Sequence, residues 1–462
     1  MDVQFRSLLK LIIWSLYCFN LYIGCIGDFV SSRCIKNSNA ADISRFNIIP
    51  RRVYPRTRPM TFDHHPLRVL KCNPASVKFD SPSPSTSKHV IDDTETRDAL
   101  RTATEELLRD QPVVFPTETV YGLAANALNV PAVQQIFSAK GRPSDNPLIV
   151  HVSDLPMLFT LLPSGFVLPK TYERMVDAFW PGPLTLLFPA DPTIVPSIIT
   201  AGHPTVAVRM PSHPIARALI ASSRLPLAAP SANTSGSPSP TRAIHVERDL
   251  GARGKVNVIL DGGACDVGLE STVVDGLGPD GHIRVLRPGG VTVEQIERAV
   301  GPDTKVLVHR RDYADTALEN APTTPGMKYR HYSPGVPVVL LVPAPRGDNS
   351  RSGEELAVVI ESFSSDATST SRKIGLLLLD DSPLHRAVSA LNVPSRVTFI
   401  HHSLGSIHQP AEAARNLFHG LITLEQDGAE TIFVEAVDET KEGLAVMNRV
   451  RKAALHTRWV RV

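Results

Sequence analysis

The sequence predicts an α/β protein with two folded parts and a long N-terminal extension. Short runs rich in branched residues and bounded by Gly, Pro and Asn alternate with helical patterns, as in QPVVFPT and NPLIVHVSD. Near the C-terminus the runs PVVLLV, KIGLLLLD and TIFVEAV alternate with helical segments, which is typical of a small parallel sheet. The 462 residues, of which 42% are hydrophobic and 20% charged, are enough for two or three domains with real cores.

The first folded part opens with a helix and continues as strands and helices. In DDTETRDALRTATEELLRD, cap-type residues precede Leu100, Ala103 and Leu107 at helical spacing. QPVVFPT is a strand, and VPAVQQIFSAKGR is a helix with Pro131 near its start and Gly141 at its end. A series of short β-rich runs follows before the helix VTVEQIERAV, so the pattern predicts a mixed sheet with some hairpins.

The composition predicts four segments. Residues 1–91 begin with the uncharged apolar run LIIWSLYCFNLYIGCIG and continue with an Arg-, Ser- and Pro-rich stretch, which predicts a hydrophobic leader and a disordered or targeting extension. A short membrane anchor is the alternative for the apolar run. Residues 92–302 form the first α/β part, 303–335 a long connection, and 336–462 the smaller C-terminal α/β domain.

Charge and cysteine content exclude several classes of site. A formal net charge of +2 gives no sign of nucleic-acid binding by the whole chain, although a local basic groove is compatible with it. Only Cys265 lies within the predicted folded parts and the chain has no C-x-x-C pair, so neither a zinc site nor a disulfide framework is indicated. Since no His–carboxylate cluster has metal-ligand spacing, we expect any metal to arrive with bound phosphates.

Polar residues collect where the predicted strands and helices end. This set comprises Thr117, Glu118, Thr119, Lys140, Arg142, Asn146, His151, Thr205, Arg209, Ser231, Asn233, Ser239, Ser271, Arg287, Lys328, Arg330 and His331. In open α/β sheets ligands bind at strand ends, and several cations beside hydroxyl groups suit a polyanion such as a nucleoside triphosphate. The set therefore predicts one cleft lined for phosphate.

Each of these residues also has a purely structural interpretation. The Pro-Thr-Glu-Thr stretch fits a helix cap, and Lys140 and Arg142 suit the C-terminal end of a helix dipole. His151 in an apolar strand is more often a core residue than a catalyst. Arg209 fits this interpretation least, because a buried guanidinium group needs an anionic partner.

The order and spacing of several runs resemble the YrdC-like domain of the threonylcarbamoyl-AMP synthases. These runs are PTETVYGLAANA, KGRPSDNPLIVHV, WPGPLTLL, VAVRMPSHP, APSANTSGSPSPT, LESTVVD and RPGG. PGMKYRHYSP followed by an α/β domain is similar to the two-domain form of that family. The resemblance spans about Asp92 to the C-terminus and implies a YrdC-like twisted mixed sheet followed by a smaller Rossmann-like parallel domain.

The resemblance also implies an activity and a set of site residues. Family members convert L-threonine, bicarbonate or CO2, and ATP with Mg²⁺ to threonylcarbamoyl-AMP and pyrophosphate. It implies catalytic roles for Lys140 and Arg142, and threonine and carbamate binding by Thr119, His151, Thr205, Arg209 and Ser271. For ATP it implies Arg142, Asn146, Ala229, Ser231, Ser239, Arg287, Arg330 and His331, with the connection acting as a lid. No metal-binding side chain is implied, and Glu118 is left between a metal contact and a structural role.

The expected partners follow from the same resemblance. They are ATP, L-threonine, bicarbonate and a complex that transfers the threonylcarbamoyl group to tRNA, with no stable membrane partner and a cytoplasmic, also mitochondrial, location. Direct contact with tRNA or double-stranded RNA is a further expectation, and a double-stranded RNA or tRNA-binding module without adenylate synthesis is the main alternative. A hydrolase using Ser231 lacks the G-x-S-x-G turn, and a carbamoyl transferase would bring zinc-finger and acylphosphatase-like segments.

Overall fold

The computed structural model describes residues 66–315, 323, 331–344, 353–363, 372–392 and 395–462. The helices are α1 Thr94–Leu108, α2 Val130–Lys140, α3 Leu155–Phe159, α4 Lys170–Phe179, α5 Ser197–Thr200, α6 Pro214–Ser223, α7 Ala243–Val246, α8 Val293–Val300, α9 Leu356–Ser362, α10 Pro383–Ser389, α11 Pro410–Gln426 and α12 Glu442–Ala453. The strands are β1 Arg68–Lys71, β2 Val77–Phe79, β3 His89–Ile91, β4 Val113–Phe115, β5 Gly122–Asn126, β6 Ile149–His151, β7 Leu184–Pro189, β8 Thr205–Arg209, β9 Leu227–Ala228, β10 Val258–Asp261, β11 Thr272–Asp275, β12 Ile283–Arg287, β13 Val306–Val308, β14 Val338–Pro343, β15 Glu354–Glu355, β16 Arg372–Leu379, β17 Val397–Gly405, β18 Thr431–Glu435 and β19 His456–Arg461.

Local capping explains where the first two long helices begin and end. Asp93 precedes α1, and its carboxylate accepts a hydrogen bond from the backbone N–H of Thr96. The side chain of Asn129 caps α2 in the same way, and Pro131 occupies the first turn. Gly141 ends α2 with a φ of 61°, a conformation that favours glycine. Both helices predicted from the sequence are confirmed.

The first sheet is mixed and carries helices on both faces. Its eleven strands run in the order β1-β10-β4-β5-β9-β6-β8-β7-β11-β12-β13. Side chains of β4 alternate between the two faces: Val113 and Phe115 join the core formed with α1 and α6, whereas Val114 joins the core formed with α2, α4 and α8. Strands buried on both faces leave only their ends for polar groups, and this positions the candidate site.

The second sheet is parallel throughout its described strands. Its order is β15-β19-β14-β18-β16-β17. Val338 and Leu340 of β14 pack toward α11 and α12, whereas Val339 and Leu341 pack toward α9 and α10. Helices on both faces of a parallel sheet make a doubly wound α/β domain, as the alternation in the sequence predicted.

The first sheet begins earlier in the chain than the sequence analysis placed it. Strand β1 pairs in parallel with β10, and β2 and β3 form a hairpin, although all three lie within residues 1–91. The partner of Lys71 in this pairing is Asp261, far along the chain, so local sequence carries no signal for the strand. The apolar run at 11–27 lies outside the described residues, and no helix among those described is long and apolar enough to cross a membrane.

The two sheets belong to one compact unit, and their contact needs a glycine at position 268. Gly268 has a φ of +79°, and a Cβ built on it would lie 2.4 Å from the Cα of Arg415 on α11. The Nε of Arg415 donates a hydrogen bond of 2.9 Å to the carbonyl oxygen of Asp266. The backbone of the first domain therefore packs directly against the helix of the second.

Replacing Gly268 with alanine is expected to separate the domains, and Gly263→Ala is the matched control. Gly263 also has a positive φ, of +93°, but no atom lies within 4 Å of a Cβ built there. Both substitutions incur backbone strain of roughly 1 kcal/mol, and Gly268→Ala adds overpacking of about 1–3 kcal/mol. Urea unfolding with limited proteolysis measures the difference. An equal loss of stability in the two variants would contradict direct contact between the domains at this position.

Stability of the second domain is expected to depend on Glu435, at the end of β18. Burial raises the pKa of Glu435 from 4.5 to about 7, and one of its oxygens accepts hydrogen bonds from Leu379 N–H and the Ser382 hydroxyl. A raised folded-state pKa gives stability that is complete below the unfolded-state pKa and is lost as pH rises through 7. Glu435→Gln, which mimics the neutral acid, should be more stable than the parent at pH 8, by on the order of 3 kcal/mol, and nearly equal at pH 4. Urea unfolding at both pH values measures this, and a pH-independent difference would refute it.

Candidate active site

Strand and helix ends of the first sheet enclose a pocket that gathers most of the predicted site residues. Its lining residues are Thr117, Thr119, Val120, Gly122, Lys140, Arg142, Ile149, His151, Arg209, Ala229, Pro230, Ser231, Ser235, Glu270, Ser271, Arg287, His331 and Tyr332. His151, Arg209 and Arg287 are the last residues of β6, β8 and β12, so three strands direct their carboxyl ends into one space. The pocket thus lies where α/β sheets usually bind ligands.

Arg209 has its anionic partner within the chain. Its Nη2 lies 2.7 Å from Oε1 of Glu118, and both side chains are less than a tenth exposed. Its Nη1 donates a hydrogen bond of 2.8 Å to the Thr119 hydroxyl. Burial raises the pKa of Glu118, but the charge of Arg209 and the hydrogen bonds to the carboxylate together outweigh burial and leave that pKa below its ordinary value. Glu118 is therefore an ionised structural partner that fixes the guanidinium group at the pocket.

The Pro-Thr-Glu-Thr stretch forms a side-chain-stabilised turn and does not cap a helix. The Thr117 hydroxyl donates a 2.6 Å hydrogen bond to the Val120 carbonyl and accepts from the backbone N–H groups of Thr119 and Val120. Gly122 follows because a Cβ there would lie 2.7 Å from the ring of Phe115. The turn sets the Thr119 hydroxyl toward Arg209, and the small residue behind it lets two strands approach closely.

Opposite the Thr119–Arg209 side, a cationic wall of the pocket is formed by buried Lys140, Arg142 and Arg287. Lys140, 2% exposed at the end of α2, donates to the carbonyl oxygens of Ser231 and Asn233. Burial, and after it the charge of Arg142, hold the pKa of Lys140 well below its usual value. Burial and the neighbouring charge of Arg287 lower the pKa of Arg142 to about 10. Cations that disfavour one another's charge would be stabilised by a bound polyanion.

The cationic wall is held by backbone carbonyl groups. Arg142 donates from Nε to the carbonyl of Asn146 at 3.2 Å and from Nη2 to that of Pro147 at 2.8 Å. Arg287 donates from Nη2 to the carbonyl of Ser271 at 2.8 Å. These bonds fix the guanidinium planes of both arginines at the pocket.

The histidines of the pocket are neutral. Burial, followed by the charge of Arg209, lowers the pKa of His151 to about 3, and burial lowers that of His331 to about 3. Neither imidazole is therefore protonated near neutral pH, so both can act only as neutral hydrogen-bonding groups.

Three of the predicted site residues that the structure describes do not line the pocket. Thr205 begins β8, so four steps of about 3.3 Å each separate it from Arg209 at the other end. Asn146 contributes its backbone carbonyl, and Ser239 lies behind the wall, where its hydroxyl donates a 2.6 Å hydrogen bond to Glu270. Arg330 and the neighbouring Lys328 lie outside the described residues. An apolar strand pattern gives no sign of which end of the strand faces a ligand, so the substrate-binding role of Thr205 stays a prediction.

Among the residues of the pocket and its support that sequence reasoning missed are two ionisable side chains of opposite charge and a tyrosine. Glu270 and Tyr332 line the pocket next to the predicted Ser271 and His331. Arg449, on α12 of the second domain, is fully buried and reaches Glu270 with a hydrogen bond of 3.1 Å. Glu270 and Tyr332 lie within the motifs LESTVVD and PGMKYRHYSP, which could have indicated them. The only sign of Arg449 in the sequence is an arginine between apolar residues of a predicted helix.

Comparison with known proteins identifies the family. Residues 105–289 match a family model described as "Telomere recombination", and residues 291–455 match one described as "Threonylcarbamoyl-AMP synthase, C-terminal domain". A threonylcarbamoyl-AMP synthase of Schizosaccharomyces pombe is 43% identical over 410 residues, covering 82% of this chain and 95% of the relative. The chain belongs to the threonylcarbamoyl-AMP synthase family. The family is one of ATP-using enzymes that produce an adenylate.

Further relatives and a solved structure agree with this membership. The threonylcarbamoyl-AMP synthases of Pyrococcus abyssi and Bacillus subtilis are 42% and 40% identical, covering 77% and 79% of this chain and 94% and 96% of their own lengths. The crystal structure of P. abyssi Sua5 complexed with L-threonine superposes with a TM-score of 0.63 at 39% identity, covering 79% of this chain and 96% of that one. The predicted family and fold class are confirmed.

Glu118→Gln is expected to destabilise the protein by about 3–5 kcal/mol, because it leaves the buried charge of Arg209 without a counter-ion. The control is Asp280→Asn, which breaks the exposed pair between Asp280 and Arg284. Urea unfolding at pH 7 measures both variants. If Glu118→Gln were as harmless as the control, the pocket would not depend on this pair.

Proposed function

We propose that this chain is an L-threonylcarbamoyladenylate synthase that uses L-threonine, bicarbonate or CO2, and ATP and releases pyrophosphate. The observation that carries the proposal is one buried pocket with mutually destabilised cations at one wall and a fixed guanidinium–hydroxyl pair at the other. The first wall suits phosphates and the second suits an amino acid carbamate. Membership in the threonylcarbamoyl-AMP synthase family supplies the chemistry.

The reaction requires no covalent enzyme intermediate. The amino group of threonine adds to CO2 and loses a proton, which gives a carbamate. A carbamate oxygen then attacks the α-phosphorus of ATP, a new P–O bond forms, and pyrophosphate leaves with the electrons of the broken bond. The protein contributes positioning and stabilisation of negative charge, which buried cations and hydroxyl groups supply.

In this proposal the amino acid end of the pocket consists of Thr119, His151, Arg209 and Ser271. The Ser271 hydroxyl lies 2.7 Å from that of Thr185, so its orientation is fixed. Glu118 orients Arg209 from behind, and neutral His151 provides a ring without positive charge beside it. The L-threonine named in the P. abyssi Sua5 structure supports an amino acid site in this fold.

The nucleotide end, we propose, contains Lys140, Arg142, Arg287, Ala229, Ser231 and His331. Lys140 and Arg142 would face the charge that develops at the transferred phosphorus, and binding of phosphates would favour the protonated form of Lys140. Ala229 allows close approach of the adenylate because its side chain is small. Asn146 and Ser239 act indirectly, through Arg142 and Glu270 respectively, and Arg330 stays a prediction.

Mg²⁺ is proposed to enter as part of the ATP substrate. The pocket carboxylates in the described part of the chain are already engaged: Glu118 faces Arg209, and both oxygens of Glu270 accept hydrogen bonds from Arg449 and Ser239. No group of three metal-ligating side chains occurs among the described residues. These residues do not fit a metal held by the protein alone, so the phosphates would hold the ion.

The described end of the connection supports a role as a lid. Tyr332 lines the pocket and its ring lies 5.3 Å from that of Phe418 on α11, while Ser333 N–H donates to the Gly236 carbonyl at 2.8 Å. The segment is thus attached to both domains at the pocket mouth. We propose that it keeps water away from the labile adenylate.

We also propose that the product passes to a complex that transfers the threonylcarbamoyl group to tRNA, as the family's role in tRNA modification implies. Direct contact with tRNA or double-stranded RNA remains a proposal that filter binding at saturating ATP and threonine would test. A cytoplasmic, also mitochondrial, location rests on the composition of residues 1–65, outside the described residues, and fluorescent fusions with and without them test it.

The full chain incubated with ATP, Mg²⁺, bicarbonate and L-threonine is expected to yield threonylcarbamoyl-AMP and pyrophosphate, measured by mass spectrometry. Leaving out threonine or bicarbonate should abolish the product. Arg142→Ala should lower kcat/KM by about 10²–10³-fold, because it removes a fixed charge at the reacting phosphates. Exposed Arg101 on α1 gives the control, Arg101→Ala, which should match the parent. ATP binding without adenylate under all conditions would refute the proposed reaction.

A further inference from the structure

The second domain sends one side chain to the wall of the active-site pocket. Arg449 on α12 has no exposed surface, and its Nε donates a 3.1 Å hydrogen bond to Oε2 of Glu270 in the first domain. Its Nη1 donates to the carbonyl oxygens of Pro288 and Ala445, the latter at 3.3 Å. The guanidinium group is therefore held in place from both domains.

Glu270 connects Arg449 to the pocket, because it binds Arg449 and also lines the pocket. It lines the pocket, its other oxygen accepts a hydrogen bond from Ser239, and it lies near Arg287 and Lys140 of the cationic wall. Burial raises the pKa of Glu270, but the charges of Arg449 and Arg287 lower it to about 2, so the carboxylate is ionised at neutral pH. A carboxylate in this wall repels phosphates unless another charge compensates it.

We propose that Arg449 is a positioning residue for the nucleotide: it neutralises Glu270 and holds it against Ser239, so that the wall attracts the phosphates of ATP. The inference rests on the proposed function, because it takes the cationic wall as the phosphate site. It also assigns the second domain a part in nucleotide binding, through one ion pair across the domain contact.

The direction of the change in ATP affinity in two variants distinguishes this role from a merely structural one. Arg449→Met and Glu270→Gln each break the same buried ion pair, so each should lower the melting temperature. If the pair served stability alone, both substitutions would change ATP affinity in the same direction. If Arg449 compensates Glu270, the first leaves an extra negative charge in the pocket and the second an extra positive one.

Isothermal titration of MgATP into the full chain tests the proposal, with L-threonine titrated separately. Arg449→Met should weaken MgATP binding at least about tenfold, whereas Glu270→Gln should bind MgATP as tightly as the parent or more tightly. The double variant should return to within about threefold of the parent, because the two effects oppose each other. Threonine binding should change less than about twofold in all three variants, since the pair lies at the phosphate wall.

Two further variants keep the result interpretable. Arg451→Met, on the same helix, breaks the exposed pair with Glu439 and should leave MgATP binding unchanged. If Arg449→Met does not fold, Arg449→Lys keeps the charge but loses guanidinium hydrogen bonds to the Pro288 and Ala445 carbonyl groups. It should bind MgATP within about threefold of the parent despite a lower melting temperature, and tenfold weaker binding would contradict the role of the charge.

Weaker MgATP binding by Glu270→Gln, or unchanged binding by Arg449→Met, would overturn the role of Arg449 and leave the proposed reaction intact. If the variants behave as expected but the parent makes no adenylate, the reaction fails and the role of Arg449 stands. Absence of MgATP binding by the parent would overturn both.

Discussion

Buried positive charge is the constraint on which the rest of this structure depends. Lys140, Arg142, Arg209 and Arg287 converge on one pocket, and each would be unfavourable in a protein interior without partners. The chain meets this need in two ways: a carboxylate faces Arg209, whereas backbone carbonyl groups hold the other three. The carboxylate neutralises the charge of Arg209, whereas burial and mutual repulsion lower the pKa values of Lys140 and Arg142.

That division accounts for the path of the chain around the pocket. The carbonyl groups that accept hydrogen bonds from these cations belong to residues outside the regular strands, near Asn146, Ser231 and Ser271. Side chains that line the pocket thus also bind the backbone of the loops around it. If the proposed reaction takes place there, the site is preorganised, because the groups proposed to stabilise charge are already fixed by the loops.

The contact between the two domains also involves buried charge, and it lies beside the pocket. Gly268 brings α11 against the first domain, and Tyr332 packs on Phe418 of that helix. Arg449 on the neighbouring helix then reaches Glu270. Backbone packing, an aromatic contact and a buried ion pair thus meet at one side of the pocket. The second domain is more than an appended fold, since its position determines the charge of a wall that belongs to the first domain.

The sequence by itself determined the features that depend on local physics. Capping residues and helical spacing placed α1 and α2, alternation of apolar runs predicted the parallel second sheet, and motif order indicated the family and most lining residues, including Thr119, Arg142 and Ser271. Only the tertiary structure decided which residues meet across long separations. Strand β1 is a strand because of β10, Glu118 rather than a ligand or metal balances Arg209, and Thr205 lies at the far end of β8. Arg449 and Glu270 are 179 residues apart in sequence, and the pairing of their opposite charges makes their burial possible. Such pairings follow from the free energy of burying charge, which depends on surroundings that no local stretch of sequence specifies.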